Sequence, residues 1–381
     1  MIQTSHLSCD RMKILYLANI RLPTEKAHGV QIMKTCEAFA REEHDVELVV
    51  PTRANSISKD PFEYYGVKHL FKITTLKVPD LVSLEGIGFF FSSLYFAERA
   101  RWRRSFWTAD IIYSRDALVL LQYILLGRRL VYEAHGAPSL SARLVARFAY
   151  RIVVISRATG ESFVAIGVPR EKIVVAPDGV DLDAFANPES KEAARGRLGL
   201  PQDKKIVMYI GRVDGWKGVD TLCEAAHLLS PDILVVIIGG EPEQIKILEE
   251  HYPQVRFLGF RPYSELPDNQ AAADVLVLPN TAKNRISMHY TSPLKLFTYM
   301  ASGIPIVASD TPATREVLSD EDAYFFIPDD SRALAGQVEI ALANTAQSHE
   351  KATRAREKVK AYTWQERAKQ ILFALSTTIK S

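Results

Sequence analysis

Cysteine is scarce in this chain: Cys9, Cys36 and Cys223 are the only three in 381 residues, widely spaced and without a CxxC pair. That excludes a disulfide framework and a cysteine-ligated zinc site, and it fits a reducing cytosol. Net charge is also lacking, since 47 Lys+Arg against 45 Asp+Glu leave a formal +2, so a polyanion such as nucleic acid is not an expected partner. Long apolar runs are missing. The greasiest stretch, Ile87 to Ala97, falls well short of the ~20 residues that a membrane span needs. The polar segment Met1 to Arg11 does not read as a signal peptide. No GxGxxG follows the first apolar run, which argues against a dinucleotide dehydrogenase. No His/Asp/Glu cluster has metal-ligand spacing, so neither a metal nor another cofactor is expected.

What the chain does have is rhythm. Short apolar runs alternate with helical patterns, the mark of parallel βαβ units. In the first half, strands are expected at Lys13–Ala18, Val46–Val50, Asp110–Ser114, Leu130–Ala134, Ile152–Ile155 and Ile173–Ala176, with a helix over Gly29–Arg41. The pattern restarts at Ile206–Ile210 and continues through Ile233–Ile238, Arg256–Leu258, Val275–Leu278, Pro305–Ala308 and Tyr324–Ile327. Between the halves lies a polar segment, Asn187 to Lys204, opening on a turn-like Asn-Pro. The expected class is therefore α/β, with two Rossmann-like, doubly wound parallel-sheet domains facing a cleft. Residues 1–190 form the first domain and 191–362 the second. A C-terminal helix over 363–381 is expected to return to the first domain, with Thr363 and Glu366 as its capping box.

Two segments carry chemistry. Val207 to Asp220 (VMYIGRVDGWKGVD) places a strand ending at Gly211, then a loop with Arg212 and Lys217, then a helix from about Val219 to Leu229. Ligands of open α/β sheets bind at that strand end. Two fixed cations beside a helix N-terminus suit a diphosphate without a metal. Tyr290 to Asp310 (YTSPLKLFTYMASGIPIVASD) starts a helix with Ser292 as N-cap and Pro293 in the first turn, and Gly303 stops it. The backbone N–H groups at its opening, near Ser292, suit an anion.

These segments resemble the retaining glycosyltransferases of family 4, which have the GT-B fold, and the resemblance covers nearly the whole chain. Gly211 to Gly218 is similar to the family's G-R-x-x-x-x-K-G loop, whose arginine and lysine hold the donor's diphosphate. Ser292 to Asp310 resembles the "SPLKLFEYMASGxPIVASD" helix of one branch, and Ala176 to Asp181 (APDGVD) the family's P-N-G-V-D turn. The resemblance implies sugar transfer from a nucleotide-diphosphate-sugar to a glycan, lipid-linked or small-molecule acceptor, with retention at the anomeric carbon. A hexosyl- or N-acetylhexosaminyltransferase is the implied type. Arg212, Lys217 and His135, which ends the run VYEAHG, are the implied catalytic residues. Gly29, Gly211, Arg261, Tyr290, Thr291, Ser292, Pro293, Leu294 and Thr298 are the implied donor contacts. No pair of carboxylates marks a double-displacement route.

One departure stands out. The family's two glutamates, with seven residues between them, are here Tyr290 and Thr298. A threonine hydroxyl replaces a charge-assisted contact to ribose, a loss of roughly 1–3 kcal/mol of donor binding. A working enzyme with altered ribose contacts is the reading adopted, and an impaired, glycosyltransferase-like binding or scaffold protein is the alternative. A nucleotide-sugar epimerase shares the architecture, but its signature is not recognised here. The acceptor is expected on first-domain loops, Thr52–Asp60 and Leu81–Gly88. Finally, Phe89 to Trp107 mixes aromatics with Arg99, Arg101, Arg103 and Arg104. That mixture suits the surface of an anionic bilayer, and so a cytoplasmic protein with peripheral contact at the inner face.

Overall fold

The computed structural model describes residues 11–79, 85–290 and 292–377. Thr291 and the start of the Leu81–Gly88 loop lie outside the described residues. The chain divides into two compact units, Met1–Pro177 with Trp364–Ser381, and Asp178–Thr363. The division falls ahead of the polar segment, within the APDGVD turn, whose residues from Asp178 onward belong to the second unit. There Val180 donates its N–H to the Tyr362 carbonyl and bridges to Thr363.

The first unit holds seven strands: β1 (Lys13–Leu17), β2 (Asp45–Thr52), β3 (Lys72–Lys77), β4 (Ile111–Ser114), β5 (Leu130–Ala134), β6 (Arg151–Val154) and β7 (Ile173–Val175). They run parallel in the order β3-β2-β1-β4-β5-β6-β7. The order reverses between β1 and β4, the switch point where such sheets bind ligands. The strand β3 is absent from the sequence reading. Its KITTLK pattern has a lysine at each end and one fully buried position, Leu76, as befits a charged edge strand with little apolar signal.

The second unit holds β8 (Lys205–Ile210), β9 (Ile233–Ile238), β10 (Arg256–Phe257), β11 (Val275–Leu278), β12 (Ile306–Ser309) and β13 (Tyr324–Phe326). All are parallel, in the order β10-β9-β8-β11-β12-β13, with the switch between β8 and β11. Both faces are buried, which explains the unbroken apolar runs. Ile206 and Met208 pack with Leu276 and Leu296 on one face, while Val207 and Tyr209 pack with Leu222 and Val275 on the other. The helix after the Arg212 loop is shorter than expected, Val219–Ala225 rather than ending at Leu229.

The helix Trp364–Ser376 packs within the first unit, with Ile371, Leu372 and Leu375 buried and the helix Ala27–Arg41 as its main neighbour. Apolar burial is only part of its attachment. Arg367 donates to Glu133 at 2.9 Å and to Thr35 at 3.1 Å, and both charged side chains are almost wholly buried. Loss of either partner strands the other charge away from water, at about 3–5 kcal/mol. The last helix is thus tied to the tip of β5.

Candidate functional site

In the second unit the strands around the switch point end on glycines. Gly211 closes β8, Gly239 and Gly240 follow β9, and Gly259 follows β10. A Cβ on Gly239 would stand 2.1 Å from the Gly211 carbonyl oxygen, so the two loop backbones approach as closely as only glycine permits. Gly218 adopts φ +71°, and a Cβ there would fall 1.7 Å from the Pro279 carbonyl oxygen. The Arg212 loop is therefore pressed onto the end of β11.

Three cations gather on this floor. Arg212 is exposed and pairs with Asp214 at 3.0 Å. Lys217 is half-buried, and burial, aided by Arg212, pulls its ammonium down to about 8 against the opposing Asp214. The third cation, Lys295, was not among the residues singled out from sequence. It donates to the Tyr209 hydroxyl at 2.5 Å, with its Nζ 4.1 Å from the Tyr209 ring centre. Burial and then the neighbouring Lys217 hold Lys295 well below the usual lysine range. Tyr209 passes the link on by donating to the Arg212 carbonyl at 2.7 Å, and Tyr299 accepts from the Ile210 N–H at 2.9 Å. Asp214 is the carboxylate that acts on all three cations, and its pull does not outweigh their burial: both lysines stay depressed. The chemical consequence is a site that gains stability from a bound anion.

A second polar group lies in the segment that Gly218 approaches, between Pro279 and Thr281. Asn280, just past β11, is 1% exposed, and neither of its amide atoms has a hydrogen-bond partner among the described residues. A buried, unsatisfied amide is what a polar ligand or an ordered water completes. Among the described residues no three His, Cys, Asp or Glu side chains converge as a metal site requires.

The helix over 294–302 differs from expectation at its start. Pro293 stands at the cap position and no side chain caps the helix. The Ser292 hydroxyl instead accepts from the Asp178 N–H at 3.2 Å, so it fastens the APDGVD turn rather than the helix. The N–H groups nearest Leu294 thus have no side-chain cap. Gly303 ends the helix at φ +70°. Thr298 does not present its hydroxyl outward. It is 1% exposed, donates to the Lys295 carbonyl at 3.0 Å and accepts from Gln270 at 3.2 Å. The ribose contact anticipated at Thr298 is therefore taken up internally. Tyr290 is half-buried, its N–H bonded to the Ile286 carbonyl, and Arg261 is exposed in the loop after Gly259.

In the first unit, Gly29 sits inside the helix Ala27–Arg41, not ahead of it. Its N–H bonds to the Lys26 carbonyl at 3.0 Å. A Cβ there would meet the Tyr65 hydroxyl at 2.2 Å. Close packing against Tyr65 thus accounts for this glycine without a ligand. His135 follows β5 and is partly exposed, with its Nε2 2.7 Å from Glu133. Glu133 also accepts from Tyr113 at 2.5 Å, from Arg367 and from Gln31. Burial alone would raise this carboxyl, yet Arg367 and then His135 outweigh it and hold Glu133 well below the usual carboxylate range. His135 is pulled down to about 4, by burial first and Arg115 second, against the pull of Glu133. A neutral ring that donates Nε2–H to Glu133 keeps Nδ1 as an acceptor.

Comparison with known proteins follows these features. A model described as "Glycosyl transferases group 1" matches residues 190–361, and one described as "Glycosyltransferase Family 4" matches residues 28–184. A D-inositol 3-phosphate glycosyltransferase of Xylanimonas cellulosilytica is 28% identical over 70% of this chain and 66% of its own length. A similar enzyme of Streptomyces bingchenggensis is 31% identical over 42% of this chain and 38% of its own length. The chain thus spans two thirds or less of these relatives. Among solved structures, Anabaena HepE in complex with UDP-glucose superposes with a TM-score of 0.77 at 19% identity, over 96% of this chain and 100% of that one.

The under-neutralised cations generate a prediction. In Lys295→Met, the melting temperature is expected to hold or rise, because a depressed lysine opposes folding at neutral pH. Binding of the best of UDP, GDP and ADP should meanwhile weaken ~10- to 100-fold, as loss of a charge-assisted bond requires. Calorimetric titration with parallel thermal melts reads both, and unchanged nucleotide affinity would remove Lys295 from the site.

Proposed function

The chain belongs to the family 4 glycosyltransferases of GT-B fold, and from that premise we propose that it transfers a sugar from a nucleotide-diphosphate-sugar to an acceptor hydroxyl with retention of configuration. The observation that carries this reading is the cation excess of Arg212, Lys217 and Lys295 over Asp214 on a glycine floor. That UDP-glucose is bound by the structurally similar HepE supports a nucleotide sugar as the donor.

In the reaction, the bond between the anomeric carbon and the diphosphate oxygen breaks, and its electron pair leaves with the nucleoside diphosphate. The acceptor oxygen forms the new bond to that carbon and gives its proton to the departing diphosphate oxygen. Negative charge grows on the leaving oxygen, so fixed cations stabilise the transition state more than the ground state. Arg212 supplies a planar fork for phosphate oxygens, whereas Lys217 and Lys295 supply point charges made stronger by partial burial. These cations fill the charge-neutralising role that a metal has in other transferases. His135 is assigned to the transferred sugar, its Nδ1 accepting from a hydroxyl while Glu133 and Arg367 fix the ring. Asn280 is assigned to the donor, in place of the ribose contact that Thr298 does not offer.

The test is hydrolysis or transfer of UDP-, GDP- and ADP-sugars, with the first-formed product's anomeric proton read by NMR. The wild type should release or transfer sugar with the donor's configuration. Arg212→Ala and Lys217→Ala should each lower kcat/KM by ~10²-fold. A wild type that binds no nucleotide sugar overturns the assignment. One that binds the donor but turns nothing over supports the binding-protein alternative.

Peripheral membrane contact belongs to the same proposal. No helix among the described residues is long and apolar enough to cross a membrane. On the helices Glu85–Arg101 and Arg104–Thr108, Phe90, Phe91, Tyr95 and Trp107 are exposed, as is Trp102 between them. The four arginines are not equivalent. Arg103 pairs with Glu47 at 3.1 Å and Arg101 with Glu98 at 2.6 Å, which leaves Arg99 and Arg104 as the exposed pair. Liposomes containing phosphatidylglycerol should float the wild type, and Arg99→Ser/Arg104→Ser combined with Phe90→Ser/Phe91→Ser should cut flotation several-fold. Equal flotation of both proteins contradicts the contact.

A further inference from the structure

The first unit contains a hollow of about 830 Å³ at the carboxyl ends of β1, β2 and β4, around its own switch point. Its wall carries Arg21, Lys26, Arg53 and Arg115, with His28 between them, while Glu25 and Asp116 are its acidic groups. The acids are committed. Glu25 pairs with Arg21. Asp116 caps the following helix, one oxygen accepting from the Leu118 and Val119 N–H groups at 2.9 and 3.4 Å. Nearby Glu133 is held by Arg367 at 2.9 Å. Arg115, by contrast, donates to a neutral group, the Gln31 amide oxygen, at 2.7 Å. Lys26 is exposed at the mouth, one residue before the helix Ala27–Arg41.

The two histidines report the local field. His28 is pulled down to about 4, by burial first, then by Arg115, Lys26 and His135, against the weaker opposing Glu25. His135 is likewise lowered, with Arg115 the largest charge acting on it in that direction, and Arg367 adds to it against Glu133. His28 therefore senses net positive charge, and both rings lie in a partly desolvated space. Cations around such a hollow attract an anion and strengthen its hydrogen bonds. Ser139 and Ser141, whose hydroxyls lie 3.1 Å apart, also line the hollow, as do the apolar Ile20, Ile32 and Phe89. The volume exceeds what an inorganic anion needs, so it suits an anion attached to a larger body.

We propose that this hollow binds the acceptor through a phosphate ester, seated between Arg115 and Lys26 with the Ser139 and Ser141 hydroxyls completing its contacts. The word acceptor rests on the transferase reading; the phosphate-ester site rests on the first unit alone. The phosphate is a binding handle and takes no part in bond making, so the accepting hydroxyl lies elsewhere on the same molecule.

The experiment titrates glucose 6-phosphate, methyl glucoside, inorganic phosphate and monomeric dihexanoyl phosphatidic acid into protein labelled with ¹⁵N-histidine, each with and without saturating nucleotide. Expected is binding of a phosphate ester at least ~tenfold tighter than methyl glucoside, with the ring signals of His28 and His135 titrating at higher pH in the complex. Preference for glucose 6-phosphate identifies a soluble acceptor and preference for the phosphatidic acid a lipid headgroup; either upholds the site. Lys26→Ala, at an exposed position that folding does not need, should weaken the ester several-fold. Arg115→Met should abolish the histidine shift and Arg115→Lys restore part of it. Inorganic phosphate binding as tightly as every ester, or loss of the ester on adding nucleotide, overturns the proposal, because the hollow then holds a bare anion or the donor. So does turnover with uncharged acceptors without any ester binding, and in that outcome the transferase reading survives. Ester binding with shifted histidines in a protein that turns over no nucleotide sugar upholds the site and removes only the word acceptor.

Discussion

Positive charge held partly out of water, without enough negative charge beside it, is the constraint on which the functional structure turns. In the second unit Arg212, Lys217 and Lys295 share the field of Asp214, and both lysines are pushed toward their neutral forms. A fold tolerates such an arrangement only at a cost in stability, and a bound diphosphate removes that cost. The glycines at Gly211, Gly218 and Gly239 belong to the same constraint, since they bring the loop backbones close enough to set the cations on a shallow floor. Tyr209 and Tyr299 serve it too, by holding Lys295 and the end of β8 in place.

The first unit solves a different electrostatic problem. A fully buried glutamate at the end of β5 is stabilised by an arginine from the last helix, so the chain's end is coupled to the orientation of His135. Because Glu133 accepts from Tyr113, Gln31, His135 and Arg367 together, its charge is satisfied and the histidine ring is locked. The helix that looks chemically silent is thus a positioning element for the residue that resembles a sugar contact.

The alternation of strands and helices, the Arg212/Lys217 loop and the SPLKLF helix were legible because each depends on local pattern: apolar periodicity, glycine punctuation and a short cationic loop. The fold class follows from those, and the GT-B neighbours agree with it. Elements that depend on partners far along the chain were not legible. The edge strand Lys72–Lys77 buries too little to leave an apolar run. The Ser292 hydroxyl bonds to a turn more than a hundred residues away instead of capping its own helix. Thr298 is occupied by Gln270. Lys295 sat inside a quoted motif, and its lysine between Leu294 and Leu296 on an otherwise apolar helix was the available signal. Asn280 gave no signal, since an asparagine after a strand is ordinary until its burial is known.

The most direct test of the cation-excess account is proton uptake on nucleotide binding. Lys217 lies near 8 in the free protein, and a diphosphate beside it should return it toward the ordinary lysine range. Affinity should fall as pH rises through 8, because the proton then has to be taken up on binding. At pH 8.5, calorimetric titration of the tightest-binding nucleoside diphosphate in buffers of different ionisation heat should show uptake of roughly half a proton or more. That uptake should fall in Lys217→Met, and the part that remains should vanish when Lys295→Met is added. Tight binding with no net proton uptake between pH 8 and 9 would contradict the account.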